Sequence, residues 1–262
     1  MGRNSIMTVN DIYKFIDEIA PFKYQAGSDN CGIIVGDKNA QVNKVLVCLD
    51  VTNDVVFEAN KKGVDLIISH HPLMYSPVST IKKSDPLHAL VSSNINLIAV
   101  HTNIDIASDG VSDLMLCALN FPKSNTPIIP IGGENTGFGR IIQIDEPMSA
   151  KELAEKCKAA FNSTVIRYVD ADKPIKKIGV SSGSAAETVD MALDAGCDAF
   201  ICGEVKYSKL LFAKDHGLTL IEAGHFHTEN IFCDDMVTRL KARFAGINAE
   251  KAANSVDVCS YV

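Results

Sequence analysis

Short apolar runs alternate with amphipathic stretches through the first half of the chain. VLVCL, DLIIS and INLIAV predict strands over 44–49, 64–69 and 95–100. Around them, apolar positions recur every three to four residues over 9–20, 53–62, 86–93 and 110–119, which predicts helices. That alternation is the grammar of a parallel sheet with crossover helices. Helix starts are marked locally. Ser84-Asp85-Pro86 offers a cap followed by proline in the first turn, while Ser149 with Glu152 and Ser184 with Glu187 have capping-box spacing.

From Phe121 to Gly137 the periodicity stops. FPKSNTPIIPIGGENTG carries three prolines and three glycines and is the predicted domain boundary. A second block follows, with strands over 138–144, 163–169, 176–181, 198–202 and 218–223 and helices over 149–160, 184–195 and 206–215. Phe232, Met236, Leu240 and Phe244, spaced by four, predict a last helix packed on the core, followed by a strand around 255–261. The expected organisation is two α/β domains: 1–125, completed by a C-terminal segment from about 225 to 262, and 126–224.

The halves echo each other. KVLVCLDVTNDVVFEANKKGVDLIISHH (44–71) aligns without gaps on KIGVSSGSAAETVDMALDAGCDAFICGE (177–204), matching Lys44 with Lys177, Gly63 with Gly196 and Asp65 with Asp198. INLIAV before His101-Thr-Asn-Ile-Asp105 corresponds to LTLIEA before Gly-His225-Phe-His-Thr-Glu229, so each half ends a strand with a histidine and an acid four residues on. The fold class is therefore α/β, as two similar domains related by an internal pseudo-repeat.

Composition narrows the function classes. The 262 residues are 47% hydrophobic and 22% charged, ordinary for a soluble α/β protein, and the net charge of -7 comes without any dense basic run. Nucleic acid is not expected as the primary ligand. No stretch reaches the roughly 18–20 apolar residues of a membrane span, and MGRNSIMTVNDIYKF lacks a secretory apolar run, so a cytoplasmic protein without membrane contact is expected. Eight cysteines occur without a C-x-x-C pair, which argues against a zinc ribbon or a thioredoxin-type motif; Cys48, Cys197 and Cys202 sit in apolar runs and read as small buried hydrophobes.

The candidate chemistry lies in the histidines. Five of seven fall in three motifs, IISHHPL, AVHTNID and EAGHFHTE, each directly after a predicted strand; His88 and His216 read as ordinary polar residues. The carboxyl ends of strands in open α/β sheets line the ligand crevice. His70, His71 and His225 offer nitrogen and Asp105 and Glu229 offer oxygen, a set suited to zinc, iron, manganese or cobalt. Five donors exceed what one tetrahedral ion uses, which favours two ions bridged by carboxylates. His101 and His227 are left as the catalytic candidates, one to orient a ligand and the other to donate a proton to a leaving group, in either assignment. Two softer features are the Ser181-Ser-Gly-Ser184 loop, either a phosphate-holding turn or a plain helix cap, and Arg140 of GFGR, either an anion contact or a solvated strand-end residue.

Taken with SDNCG at 28–32 and CGEVKYS at 202–208, these motifs resemble, in order and over nearly the whole chain, the GTP cyclohydrolase 1 type 2 homologues, or NIF-three-like proteins. The resemblance implies metal ligands at His70, His71, Asp105, His225 and Glu229, a dinuclear site in the cleft between two similar α/β domains, and a ring-shaped homohexamer. It further implies a metal-dependent hydrolase of a small molecule, with a nucleotide among the candidate substrates. In that reading metal-activated hydroxide attacks an electrophilic carbon, which in GTP is C8, released as formate. The alternatives are a phosphoesterase and a non-catalytic metal-binding or interaction protein. The chain departs from the family pattern at Ser28, where an aromatic residue is usual, and at Ser208, where many members have histidine. The residues before Met7 read as an upstream start or a disordered extension.

Overall fold

Two five-stranded sheets organise the computed structural model, which describes residues 7–133 and 135–262. The extension before Met7 and Glu134 of the Pro/Gly-rich stretch lie outside the described residues. In chain order the elements are α1 (Val9–Ile19), β1 (Gly32–Val35), β2 (Lys44–Cys48), α2 (Asn53–Lys62), β3 (Leu66–Ser69), α3 (Pro86–Ser92), β4 (Asn96–Ala99), α4 (Thr102–Ile106) and α5 (Val111–Ala118). There follow β5 (Ile129–Pro130), β6 (Gly137–Phe138), β7 (Arg140–Met148), α6 (Ala150–Ala160), β8 (Arg167–Val169), β9 (Ile175–Val180) and α7 (Ala186–Asp194). The chain ends with β10 (Ala199–Cys202), α8 (Tyr207–Asp215), β11 (Thr219–Glu222), α9 (His225–Glu229), α10 (Ile231–Arg243) and β12 (Asn248–Lys251).

The first unit comprises the chain up to Ile104 together with Phe232–Val256. Its sheet has the order β1-β4-β3-β2-β12, parallel throughout except for β1, which runs antiparallel to β4. Strands buried on both faces are mostly apolar, and LIIS and NLIA are buried along their length, with their polar ends satisfied by hydrogen bonds from Ser69 to the His71 carbonyl and from Asn96 to the Asp65 carbonyl. Leu46, Cys48, Val55, Ala59, Ile67 and Leu97 pack in one core cluster, which explains why Cys48 behaves as a hydrophobe.

The second unit comprises Asp105–Ile231 and Asp257–Val262. Its sheet has the order β7-β9-β10-β11-β8, with a parallel centre of β9, β10 and β11 and an antiparallel strand on each edge. Among the described residues the Pro/Gly-rich stretch holds the β5–β6 ladder, and the two compact units divide between Ile104 and Asp105 inside α4. The reason is packing: Met115, Leu116 and Leu119 of the α5 region join Ile178, Ile201 and Ile221 in the second unit's core.

The pseudo-repeat is visible in matching hydrogen bonds. The Asp65 carboxylate accepts the amides of Asn43 and Lys44 at 2.8 and 3.0 Å, and the Asp198 carboxylate accepts those of Lys176 and Lys177 at 3.0 and 2.9 Å. Lys44 donates to the Lys62 carbonyl and Lys177 to that of Ala195, again equivalent positions. In each unit an aspartate at the start of the second strand therefore fixes the start of the first.

Three expectations are corrected. Residues 255–261 form no strand; the C-terminal strand is β12, whose polar NAEK pairs in parallel with β2, and Ser255 instead caps the β2 end by accepting the Leu49 amide at 3.0 Å. Ser184 and Glu187 form no capping box, because Ser184 bridges to Glu204 and α7 begins at Ala186. Arg140 is neither an anion contact nor solvated, being fully buried. Its Nε lies 3.0 Å from both Asp113 oxygens, Nη2 meets Asp113 at 2.8 Å and the Ala107 carbonyl at 2.7 Å, and Nη1 donates to the carbonyls of Gly137 and Gly139. Among the described residues, no helix is long and apolar enough to cross a membrane.

Two stability predictions follow from these contacts. Arg140→Met leaves Asp113 buried without its cation and should cost about 3–5 kcal/mol in denaturant unfolding, whereas the double change with Asp113→Leu should recover most of that loss. The Glu58 carboxylate accepts Lys62 Nζ at 2.7 Å and the amides of Ala253 and Asn254 at 3.0 and 2.9 Å. Burial raises its pKa, but these hydrogen bonds outweigh burial and hold it below its ordinary value of 4.5. Its stabilisation is therefore present at neutral pH and lost as pH falls through the depressed folded value. Glu58→Gln should cost about 2 kcal/mol at pH 7 and flatten the acid limb of a stability profile below about pH 4.5.

Candidate metal centre

In the first unit the strand ladder continues past β3, with the His70 and His71 amides donating to the carbonyls of Cys48 and Leu49 at 3.1 and 3.0 Å. This register places both histidines just past the carboxyl end of β3. β4 delivers His101 beside them, and the three rings form a nearly equilateral triangle with centres 5.1, 5.2 and 5.5 Å apart. Each offers a nitrogen within 4.8 Å of the other two.

Each ring is held through Nδ1. His70 meets the Val100 carbonyl at 2.8 Å, His71 the Asp50 carboxylate at 2.7 Å, and His101 the Asp29 carboxylate at 2.9 Å. Carbonyl and carboxylate oxygens can only accept, so Nδ1 carries the proton in all three and Nε2 is the nitrogen with the lone pair. His70 is fully buried against the Phe232 ring, 5.1 Å away, while His71 and His101 are partly exposed.

Asp29 is the hub of the SDNCG segment. Besides His101 it accepts the Thr102 amide at 3.2 Å, the Thr102 hydroxyl and the Cys31 thiol. Burial pushes its carboxyl up, but the hydrogen bonds from His101 and Thr102 overcome burial and hold it well below the usual carboxylate range. Asp29 therefore stays anionic. Cys31 beside it has its thiol pushed up to about 11 by burial and is no thiolate nucleophile.

In the second unit the Ala223 and Gly224 amides extend the β11 ladder by donating to Cys202 and Gly203, and α9 starts at once. Four residues apart on this single turn, His225 and Glu229 share one face, with Nε2 to Oε2 at 2.9 Å. His225 Nδ1 lies 3.1 Å from Glu204, the pseudo-repeat counterpart of His71. Asp105 brings a carboxylate oxygen within 4.8 Å of one on Glu229; the two residues are 9% and 4% exposed. Gly183, at φ +58°, makes room: a Cβ there would sit 2.2 Å from Glu229 Oε1. The Ser181–Ser184 loop thus accommodates the carboxylate.

His227 is turned elsewhere. Two residues from His225 and from Glu229, it leaves their face and sets Nε2 3.4 Å from Asp257, which accepts the Cys259 amide at 2.9 Å and the Tyr261 hydroxyl at 3.0 Å. Sequence reasoning quoted Asp29 within a motif and passed over Asp50; the legible signal for Asp50 was an acid ending the apolar run VLVCLD.

The donors fit a borderline divalent ion. Four imidazoles have Nδ1 anchored on oxygen, and two nearly buried carboxylates bring oxygens within 4.8 Å of each other. His88, by contrast, lies in α3, and His216 closes α8 by bonding the Phe212 carbonyl at 2.8 Å.

Comparison with known proteins gives a consistent result. The Duf34/NIF3 (NGG1p interacting factor 3) family model matches residues 7–257. A protein of Clostridium perfringens named GTP cyclohydrolase 1 type 2 homolog is 34% identical over 232 residues, 85% of this chain and 87% of that one. A Clostridium acetobutylicum protein of the same name is 33% identical over 231 residues, covering 85% of both. Among solved structures, a hypothetical protein of Staphylococcus aureus superposes with a TM-score of 0.91 at 26% identity, covering 98% of this chain and all of its own. The chain belongs to the Duf34/NIF3 family.

Proposed function

We propose that this chain is a dinuclear metal-dependent hydrolase in which His70, His71, Asp105, His225 and Glu229 hold two divalent ions, zinc, iron, manganese or cobalt. The observation that carries this reading is the nearly buried Asp105–Glu229 carboxylate pair with His225 Nε2 2.9 Å from Glu229, an arrangement that a cation stabilises. Bound divalent ions would supply Lewis acidity and a water acidified toward neutral pH. The chain's own groups do the rest: Val100, Asp50 and Glu204 fix the tautomers of His70, His71 and His225, and His101, backed by anionic Asp29, moves protons, whereas His227 is turned to Asp257 and away from the metal ligands.

The names of the clostridial relatives support hydrolytic opening of the guanine imidazole ring of GTP, with C8 leaving as formate. We place the enzyme in the cytoplasm as a homo-oligomer, a hexamer, acting on a small molecule and without membrane contact. The family description, an interacting factor, favours as a second reading a metal-binding protein that works through a partner.

Elemental analysis of protein purified without chelator should find about two ions per chain, and fewer in His70→Ala and Glu229→Ala. Metal-loaded protein should then release formate from GTP. Two bound ions with no formate at high protein concentration would remove the cyclohydrolase assignment, and absence of metal from the wild type would remove the hydrolase itself.

A further inference from the structure

We propose that the C-terminal segment Asp257–Val262 braces α9, the single turn that carries His225 and Glu229, by setting the Asp257 carboxylate against the His227 imidazole. The proposal rests on the metal reading above. It makes His227 and Asp257 positioning residues, which hold the ligand-bearing turn without touching an ion.

The need for a brace comes from the turn itself. Five residues are too few for a helix that stands on its own hydrogen bonds. Gly224, its N-cap, has no side chain to hold the first amides, and its φ of +94° favours glycine. Thr228 is fully buried and supplies one hold, its hydroxyl donating to the Gly224 carbonyl at 3.0 Å. His227 supplies another. Its ring folds back on the N-cap, where a Cβ on Gly224 would come 2.8 Å from Cδ2. Its Nε2 is shut off from solvent without a hydrogen bond, and the Asp257 carboxylate faces it at 3.4 Å. A carboxylate there favours the tautomer with the proton on Nε2 and attracts it.

On the tail, Asp257 is the one residue of 257–262 that is not exposed. The segment's polar bonds converge on it, from the Cys259 amide at 2.9 Å and the Tyr261 hydroxyl at 3.0 Å. Burial pushes its carboxyl up, but these two bonds outweigh burial and hold it below its ordinary value of 3.8, so it is anionic at neutral pH. Val258 and Tyr261 are 88% and 45% exposed, so the segment adds little buried apolar area to the fold. A segment that packs so little, yet sets its one sheltered side chain against the ligand-bearing turn, acts on the turn rather than on the core.

The test compares the full wild-type chain with Asp257→Ala, His227→Ala and both changes together, each stripped with chelator. Co²⁺ affinity and visible spectrum report the site. Hydrogen exchange at the Thr228 and Asn230 amides, which donate to Gly224 and Phe226, reports the turn. The expected result for Asp257→Ala is Co²⁺ binding about tenfold weaker, shifted bands and faster exchange at both amides, with the denaturation midpoint unchanged. The double change should bind no more weakly than the worse single one, because the two residues make one contact. Affinity or exchange equal to wild type in Asp257→Ala would overturn the inference, as would additive losses in the double variant or a loss matched by an equal fall in global stability. Wild-type protein that takes no Co²⁺ removes the metal reading instead. Exchange at Thr228 and Asn230 then decides the brace by itself, faster exchange in Asp257→Ala keeping it and unchanged exchange ending it.

Discussion

Everything at the candidate centre depends on the anchoring of imidazole through Nδ1. A histidine at a strand end has two rotatable bonds and two tautomers, and a ligand that must choose among them at binding loses affinity. Here a carbonyl or carboxylate oxygen lies within 3.1 Å of Nδ1 in His70, His71, His101 and His225. Those acceptors come from rigid places: Val100 directly after β4, Asp50 just past β2, Glu204 just past β10, and Asp29 in a turn that Thr102 and Cys31 tie down. The parallel sheets thus serve the chemistry twice, by aiming the histidines and by supplying the oxygens that orient them.

The internal repeat gives this arrangement a common frame with different fillings. Asp65 and Asp198 fix the strand starts by the same pair of amide bonds, so the carboxyl ends of β3 and β10 emerge at equivalent points. At those points the chain has His70-His71 in one copy and Gly203-Glu204 in the other. Asp50, which holds His71, corresponds to Gly183, whose missing Cβ admits the Glu229 carboxylate. At the equivalent positions of His71 and Glu204, nitrogen stands in one copy and oxygen in the other.

Much of this was legible in the sequence where a single physical signal dominated. The apolar strands 66–69 and 96–99 and the helix 53–62, capped by Thr52 and closed by Gly63 in the left-handed region, follow from local pattern alone. What escaped depends on tertiary pairing. NAEK carries no strand signal and becomes β12 only because β2 offers an open edge, while the more apolar tail beyond it is held by side-chain and main-chain bonds instead. Arg140 looks like a surface cation in sequence, and its burial depends on Asp113 and three carbonyls that only the fold assembles. The donors at 70, 71, 101, 105, 225 and 229 were visible as motifs. Their orienting partners Asp29 and Asp50 were not, because an acid 72 or 21 residues away has no periodic relation to the histidine that it holds.

The pairing of His71 with Glu204 across the repeat has a consequence for how such a protein diversifies. Both side chains stand just past equivalent strands whose starts are tied by aspartates elsewhere, so exchanging nitrogen for oxygen at either position changes what that position can hold or orient without touching the bonds that set the strands. Site chemistry and foldability can then drift independently, and one scaffold can carry different donor sets.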